Sequence, residues 1–250
     1  MALSDYQRIE YVEGQNNGYL NTGKTVNRDT YIFLQGYANV NAGSAQYLWG
    51  AFSSNTKQYS FRYSTNNNYI WRYVSNTDRT ITPVGDVPIQ VIQYYDGEDV
   101  YCEVMDLTNF HTEWTSATRS GSTNTSNNVY LLARNGNGTA DYFAMGSRIS
   151  EFALYASYDD PDPYLHLVPV REKVDVNPRV GMYDLVAGTV IWSSGSAGLI
   201  AGPDLTAGLT AKVKVNGSWE EGTPYIKVSG SWEQAADIKI KVSGSWEDTI

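Results

Sequence analysis

Tyr59-Ser60-Phe61-Arg62-Tyr63-Ser64-Thr65-Asn66-Asn67-Asn68-Tyr69-Ile70-Trp71-Arg72-Tyr73-Val74 holds two alternating runs on either side of an asparagine cluster. Side chains of an extended chain point to opposite faces in turn, so Tyr59, Phe61 and Tyr63 share one face of the first run. Asparagine tolerates left-handed backbone and hydrogen-bonds its own chain, so Asn66-Asn67-Asn68 reads as the turn of a β-hairpin. Aromatic and aliphatic residues both alternate here. The pattern therefore leaves open which face meets solvent.

The same grammar extends outward in both directions. Ile89 to Tyr95 and Val100 to Met105 flank Asp96-Gly97, a strong turn dipeptide. Further strands are expected at Thr30–Gln35, Tyr47–Phe52, Val129–Arg134, Arg148–Tyr155, Tyr164–Val170, Gly181–Leu185 and Thr189–Ser193. No long segment combines a 3.6-residue apolar period with helix caps. Many short strands separated by turn signals predict an all-β sandwich or barrel over residues 1–205. The 250 residues suit one large sandwich with an appendage.

Residues 206–250 follow a different rule. Val213-Lys214-Val215-Asn216-Gly217-Ser218-Trp219-Glu220 recurs from Ile226 to Glu233 and again from Ile240 to Glu247, with changes only between Val and Ile or Asn and Ser. Each copy reads as a hairpin. A two-residue loop would set Lys214 opposite Trp219. A three-residue loop over Asn216-Gly217-Ser218 would set Val215 opposite Trp219 and Lys214 opposite Glu220, and is preferred because it sorts apolar and charged pairs onto opposite faces. A lone hairpin is marginal, so Trp219, Trp232 and Trp246 are expected to pack between copies or on another chain. The competing expectation is a tail that packs on its own domain.

Charge and composition remove several function classes. A net charge of −9 argues against nucleic acid, whose phosphates need a basic face. No run approaches the roughly 20 apolar residues of a membrane span. The polar start, Met1 to Arg8, predicts no secretory signal. Cys102 is the single cysteine, which excludes an intrachain disulfide and a cysteine-rich zinc site.

Several stretches resemble concanavalin A-like (laminin-G-like) jelly-roll domains. They are Tyr11-Val12-Glu13, Gly18 to Gly23, Tyr47 to Phe52, Leu131 to Asn135, Gly146 to Phe152, Leu167 to Arg171 and, most specifically, Val180-Gly181-Met182-Tyr183-Asp184-Leu185-Val186 with Ala201-Gly202-Pro203. Domains of this kind are common in phage and prophage structural proteins, and the Lys-Val-x-Gly-Ser-Trp repeats resemble those ending phage tail or fibre proteins. The resemblance implies two packed antiparallel sheets and glycan binding. It points to a virion protein of a fibre, spike or capsid surface, assembled in the host cytoplasm, with other virion proteins and a cell-surface glycan as partners. A homo-oligomer is expected, a trimer being one form.

Because this fold also hosts glycan hydrolases, catalysis needs its own test. Retaining hydrolysis requires two carboxylates about 5–5.5 Å apart, and no strand carries the same-face spacing for it: Glu98 and Asp99 are adjacent, and Glu103 stands alone. His111 and His166 adjoin no nucleophile motif, and no phosphate-binding glycine loop opens a helix. A non-enzymatic protein without cofactor is expected; an atypical glycan-processing enzyme and a bacterial surface adhesin are the rivals. Asp159-Asp160-Pro161-Asp162-Pro163 reads as a turn, with calcium as the alternative. For sugar recognition, Arg62, Tyr63, Trp71, Arg72 and Tyr73 are the candidate residues, since they combine aromatic faces with guanidinium donors; core packing is the competing role of that hairpin.

Overall fold

The structure, a computed structural model, describes residues 2–41, 44–54, 57–65, 68–73, 77–82, 86–118, 125–174, 176–205, 211–215, 218–222, 225–228, 231–234, 239–242 and 245–248, and from residue 206 onward it describes the backbone alone. The chain divides into two compact units, Met1–Asp204 and Leu205–Ile250.

In the first unit a 3-10 turn, Leu3–Asp5, precedes the strands β1 (Tyr6–Arg8), β2 (Val12–Gly14), β3 (Leu20–Asn21), β4 (Tyr31–Tyr37), β5 (Gln46–Ser54), β6 (Lys57–Tyr63) and β7 (Tyr69–Tyr73). They continue with β8 (Arg79–Ile81), β9 (Ile89–Tyr95), β10 (Asp99–Asp106), β11 (Thr112–Thr118), β12 (Tyr130–Leu131), β13 (Arg134–Gly136) and β14 (Thr139–Asp141). The last are β15 (Arg148–Tyr155), β16 (Pro163–Glu172), β17 (Val180–Asp184), β18 (Thr189–Trp192) and β19 (Leu199–Ala201). The larger sheet runs β11-β10-β9-β4-β15-β16-β17-β18, with β1 beside β16 and β2 between β15 and β19. The smaller sheet runs β14-β13-β5-β6-β7-β8, and β12 joins β3 to β5. Pairing is antiparallel except between β13 and β5. The unit is all-β, as the alternation predicts, and is the two-sheet jelly-roll sandwich that the resemblance implies.

Alternation and burial coincide. Along β4 the even residues Ile32 and Leu34 are buried while Tyr31, Phe33, Gln35 and Tyr37 are half-exposed. Along β10, Val100, Cys102 and Val104 are buried and Tyr101, Glu103 and Met105 are not. The core is asymmetric: aromatic rings of the smaller sheet (Trp49, Tyr59, Phe61, Tyr69, Trp71) meet aliphatic side chains of the larger one (Ile32, Leu34, Val91, Val104, Leu154). Gln93 crosses between them, its Nε2 donating to the Ser60 carbonyl at 3.3 Å. A smaller cluster, Tyr6, Val168, Val170 and Tyr183, lies where the N-terminal segment covers the other side of β16.

One strand expectation changes. Val129–Arg134 is broken into β12 and β13, with Leu132 between them in left-handed backbone at φ 59°. Arg134 to Gly138 is a strand entering a tight hairpin, where Asn137 and Gly138 both take positive φ.

The second unit contains three antiparallel hairpins: β20 (Ala211–Val215) with β21 (Ser218–Gly222), β22 (Tyr225–Val228) with β23 (Ser231–Gln234), and β24 (Lys239–Val242) with β25 (Ser245–Asp248). Val215 stands opposite Ser218, Lys214 opposite Trp219 and Val213 opposite Glu220, and the other copies repeat that register. This corrects the preferred three-residue loop. Asn-Gly and Ser-Gly are suited to two-residue hairpin loops, whose twist matches that of the strands, and this turn preference outweighs the sorting of faces. The loop residues themselves, and the side chains of Trp219, Trp232 and Trp246, lie outside what is described.

Candidate functional site

The five residues expected to bind sugar divide between two faces of the smaller sheet. Tyr63, Trp71 and Tyr73 are 6%, 0% and 3% exposed and belong to the core. Their ring faces are used in packing, which corrects their assignment to a sugar surface. Arg62 and Arg72 point the other way, because burying a guanidinium without full pairing costs far more than burying a ring. Asn66 and Asn67 lie outside the described residues.

The structure does bring Arg62 and Arg72 together. Asp78 bridges them, at 2.8 Å from Arg62 Nη2 and 2.6 Å from Arg72 Nε. Arg134 pairs with Asp141, Nε to Oδ1 at 2.6 Å, and its guanidinium lies over Tyr142 at 4.3 Å and Phe52 at 4.9 Å. The Arg134 donors held by Asp141 raise its pKa. The cations are thus matched by nearby carboxylates and layered on rings, an arrangement that staples the outside of the smaller sheet.

A more open surface lies on the outer face of the larger sheet. Registers place Tyr155 opposite Tyr31, and Tyr94 opposite Tyr101, in one row across β15, β4, β9 and β10. Ring centroids are 5.3 Å apart for Tyr155–Tyr31, 6.0 Å for Tyr31–Tyr94 and 5.0 Å for Tyr94–Tyr101. Tyr158, from the loop after β15, stacks on Tyr94 at 4.6 Å, and Trp114 of β11 lies 6.3 Å from Tyr101. Trp114 is 63% exposed and Tyr158 52%. A polar row runs farther along the same face, beyond Phe33 and Ile92: Glu151 opposite Gln35, and Gln35 opposite Gln90, whose Oε1 accepts from Gln35 Nε2 at 3.3 Å. Tyr94 donates to Glu103 Oε1 at 2.9 Å. Burial pushes the Tyr31 phenol up to about 12 and raises that of Tyr94 further, with the Glu103 hydrogen bond adding to the second.

Farther along β4, on the same face, a pocket of about 320 Å³ is lined by Glu10, Tyr11, Gly36, Tyr37, Pro88, Arg148 and Ser150. Arg148 Nε donates to Glu13 Oε2 at 2.7 Å, and its guanidinium lies 4.4 Å from the Tyr11 ring centre and 5.5 Å from that of Tyr37. The Tyr37 hydroxyl donates to Asp86 Oδ1 at 2.5 Å, and burial together with that bond takes its pKa up to about 12. A bulge between Ile149 and Glu151 shifts the register of β15 on β4. A Cβ on Gly36 would stand 2.2 Å from the Arg148 carbonyl oxygen, so only glycine fits there.

Other residues considered for chemistry have simpler partners. His111 pairs with Glu113 at 2.8 Å on the surface, and His166 with Glu151 at 2.7 Å. Asp160 Oδ1 accepts from the Asp162 backbone N–H at 3.1 Å, as a turn requires. Among the described residues no three His, Cys, Asp or Glu come together as a metal site. Glu103 and Glu151 share the outer face but are separated by β9 and β4.

The pattern reading missed the outer face of the larger sheet, although one signal for it was available. In β10 a charged Glu103 shares its set with Tyr101, against Val100, Cys102 and Val104 in the other set. That contrast marks Tyr101 as outward.

No protein-family model matches the chain, and no curated protein matches it. Among solved structures, a candidate carbohydrate-binding protein from Bacteroides ovatus is 8% identical, with a TM-score of 0.53 over 80% of this chain and 61% of that one. The LG4-5 domains of the mouse laminin alpha1 chain are 12% identical, with a TM-score of 0.48 over 80% of this chain and 47% of theirs. Tailspike protein 2 of Escherichia coli O157:H7 bacteriophage CAB120 is 8% identical, with a TM-score of 0.41 over 57% of this chain and 22% of that one. The chain spans less than two thirds of each of these proteins. At such identity, the likeness to the Bacteroides protein shows a common sandwich fold and nothing finer.

Proposed function

We propose that this is a non-enzymatic glycan-binding adhesion protein of a bacteriophage virion, and that its glycan lies across the outer face of the larger sheet. The observation that carries the reading is the row Tyr155, Tyr31, Tyr94 and Tyr101 with Tyr158 and Trp114 beside it. Exposed aromatic patches of this kind mark interaction surfaces, and Tyr and Trp join an apolar body to a polar tip. A sugar ring has the complementary form, with an apolar C–H face and an equatorial belt of hydroxyls. Glu103, held by the Tyr94 hydroxyl, offers an acceptor beside the rings, and Glu151, Gln35 and Gln90 offer polar groups farther along the same face.

Glu103 and Glu151 of this face stand on strands that β9 and β4 separate, which favours binding over hydrolysis. The hairpin repeats support an assembly role, since Trp219, Trp232 and Trp246 occupy one register position in all three copies. In this reading the jelly-roll faces the host and the repeats join the protein to a homo-oligomer or to other virion proteins.

Trp114→Ala and Tyr158→Ala test the reading directly, because both side chains are exposed and neither supports the core. On a glycan array each is expected to lose the signal of the parent protein, with an unchanged circular dichroism spectrum. Equal retention by parent and variants would overturn the assignment of the face.

A further inference from the structure

We propose that the pocket at Arg148 takes one neutral sugar residue of that glycan, and that its charge rejects sugar acids. The inference rests on the glycan-binding reading of the larger sheet and specifies the class of sugar.

The pocket's size fits a single ring. At about 320 Å³ it stands at the lower end of small-ligand sites, which run from roughly 300 to 1,000 Å³. Its groups match an uncharged polyol, because a sugar hydroxyl both donates and accepts. Among the described residues neither Nη of Arg148 has a partner, so both are donors available to the pocket. Glu10 and Ser150 stand in the lining, residues whose side chains offer an acceptor and a group that serves as either. Tyr11, Tyr37 and Pro88 supply the apolar wall.

The site is also rigid before anything binds. Glu13 fixes Arg148 Nε, the Tyr11 and Tyr37 rings lie against the guanidinium, and Asp86 holds the Tyr37 hydroxyl. Preorganised donors lower the ordering cost of binding.

Charge decides the class of sugar. One cation, Arg148, stands among three carboxylates: Glu10 in the lining, Glu13 on Arg148 and Asp86 on Tyr37. A uronic or sialic carboxylate, or a sulfate ester, could reach the Nη donors only beside these three carboxylates, against which one cation, held through Nε by Glu13, leaves a net negative surrounding. Like-charge juxtaposition of this kind is a strong device for rejecting wrong partners.

The pocket continues the aromatic surface. Tyr37, Gln35, Phe33 and Tyr31 lie on one face of β4, so a single strand leads from the pocket to the tyrosine row. At about 3.4 Å per residue that path is about 20 Å long, a length that several linked sugar residues span.

The test uses the full chain and isothermal titration calorimetry with short gluco-, manno- and galacto-oligosaccharides, each beside its counterpart oxidised at C6 to a uronic acid. At least one neutral compound is expected to bind, with its oxidised counterpart weaker by about tenfold or more. Glu10→Gln should narrow that ratio, and Arg148→Met should weaken neutral binding while Trp114→Ala weakens both members of a pair. Equal or tighter binding of the acidic member, or binding sensitive to Trp114→Ala but indifferent to Glu10→Gln and Arg148→Met, overturns the pocket inference and leaves the aromatic face standing. If no compound of either kind binds, both readings fall. Because Arg148 also holds Glu13, its variant is interpreted only with an unchanged melting temperature; the exposed Glu10 variant carries the test otherwise.

Discussion

Trp71 sits wholly inside the sandwich, and among the described residues its indole Nε1 has no hydrogen-bond partner. Its contribution is therefore volume and apolar area. Trp71→Ala should cost about 3–5 kcal/mol in urea denaturation, the usual range for emptying a large aromatic site. Trp71→Phe should cost clearly less, because it also removes an unsatisfied N–H whose burial carries a penalty of about 1–3 kcal/mol. Equal losses for the two variants would mean that the indole nitrogen is satisfied. Cys102 lends itself to a second measurement. Burial raises its thiol pKa far above the ordinary range, so the reactive thiolate is scarce as well as shielded. Iodoacetamide at mildly alkaline pH is expected to label the chain only in denaturant, and rapid labelling of the native protein would contradict the packing around β10.

Between elements, the decisive contacts are close backbone approaches. Where β15 pairs with β4 at the bulge, Gly36 leaves room for the Arg148 carbonyl, and a methyl group there has nowhere to go because the obstacle is backbone. Gly36→Ala should lower the melting temperature sharply or abolish soluble expression. A variant of native stability would show that the two strands can separate at the pocket. The hairpin repeats raise the matching question for isolated elements. Each pairs only two strands, an arrangement that is marginal alone in water, and the found register sets Lys rather than Val opposite each Trp. If the repeats mediate assembly, changing Trp219, Trp232 and Trp246 together to Ser should lower the mass seen by light scattering while the jelly-roll stays folded. An unchanged mass would reduce them to a tail.

At the scale of the whole first unit, ion pairs on the outside tie its closing segment to β16. Arg171 holds Asp204 through two bonds of 2.9 and 2.8 Å, and Arg179 holds Glu172, so both carboxyls titrate below their ordinary values. A depressed folded-state pKa gives stabilisation that is complete above the unfolded-state value and disappears as pH falls through the folded one. Urea midpoints should therefore be level near neutrality and fall below about pH 4, and Asp204→Asn should make that fall shallower. The sequence by itself determined the all-β class, most strand positions, the hairpins at Asn66-Asn67-Asn68 and Asp96-Gly97, and the repeat unit. Alternation with period two and turn chemistry are local properties, legible wherever a few residues carry them. Which face of a strand enters the core is also partly local: arginine alternating with Tyr, Phe and Trp on β6 and β7 turns the rings inward, since a guanidinium is the costlier group to bury. The repeat register was misread because two local rules, face sorting and turn geometry, gave opposite answers. The functional surface was not legible in this way. Tyr155, Tyr31, Tyr94 and Tyr101 form a row, and Tyr11, Tyr37 and Arg148 a pocket, only because β15 pairs with both β4 and β2, and β9 lies between β4 and β10. Those long-range registers are fixed by the packing of the entire sandwich, which no short stretch of sequence contains.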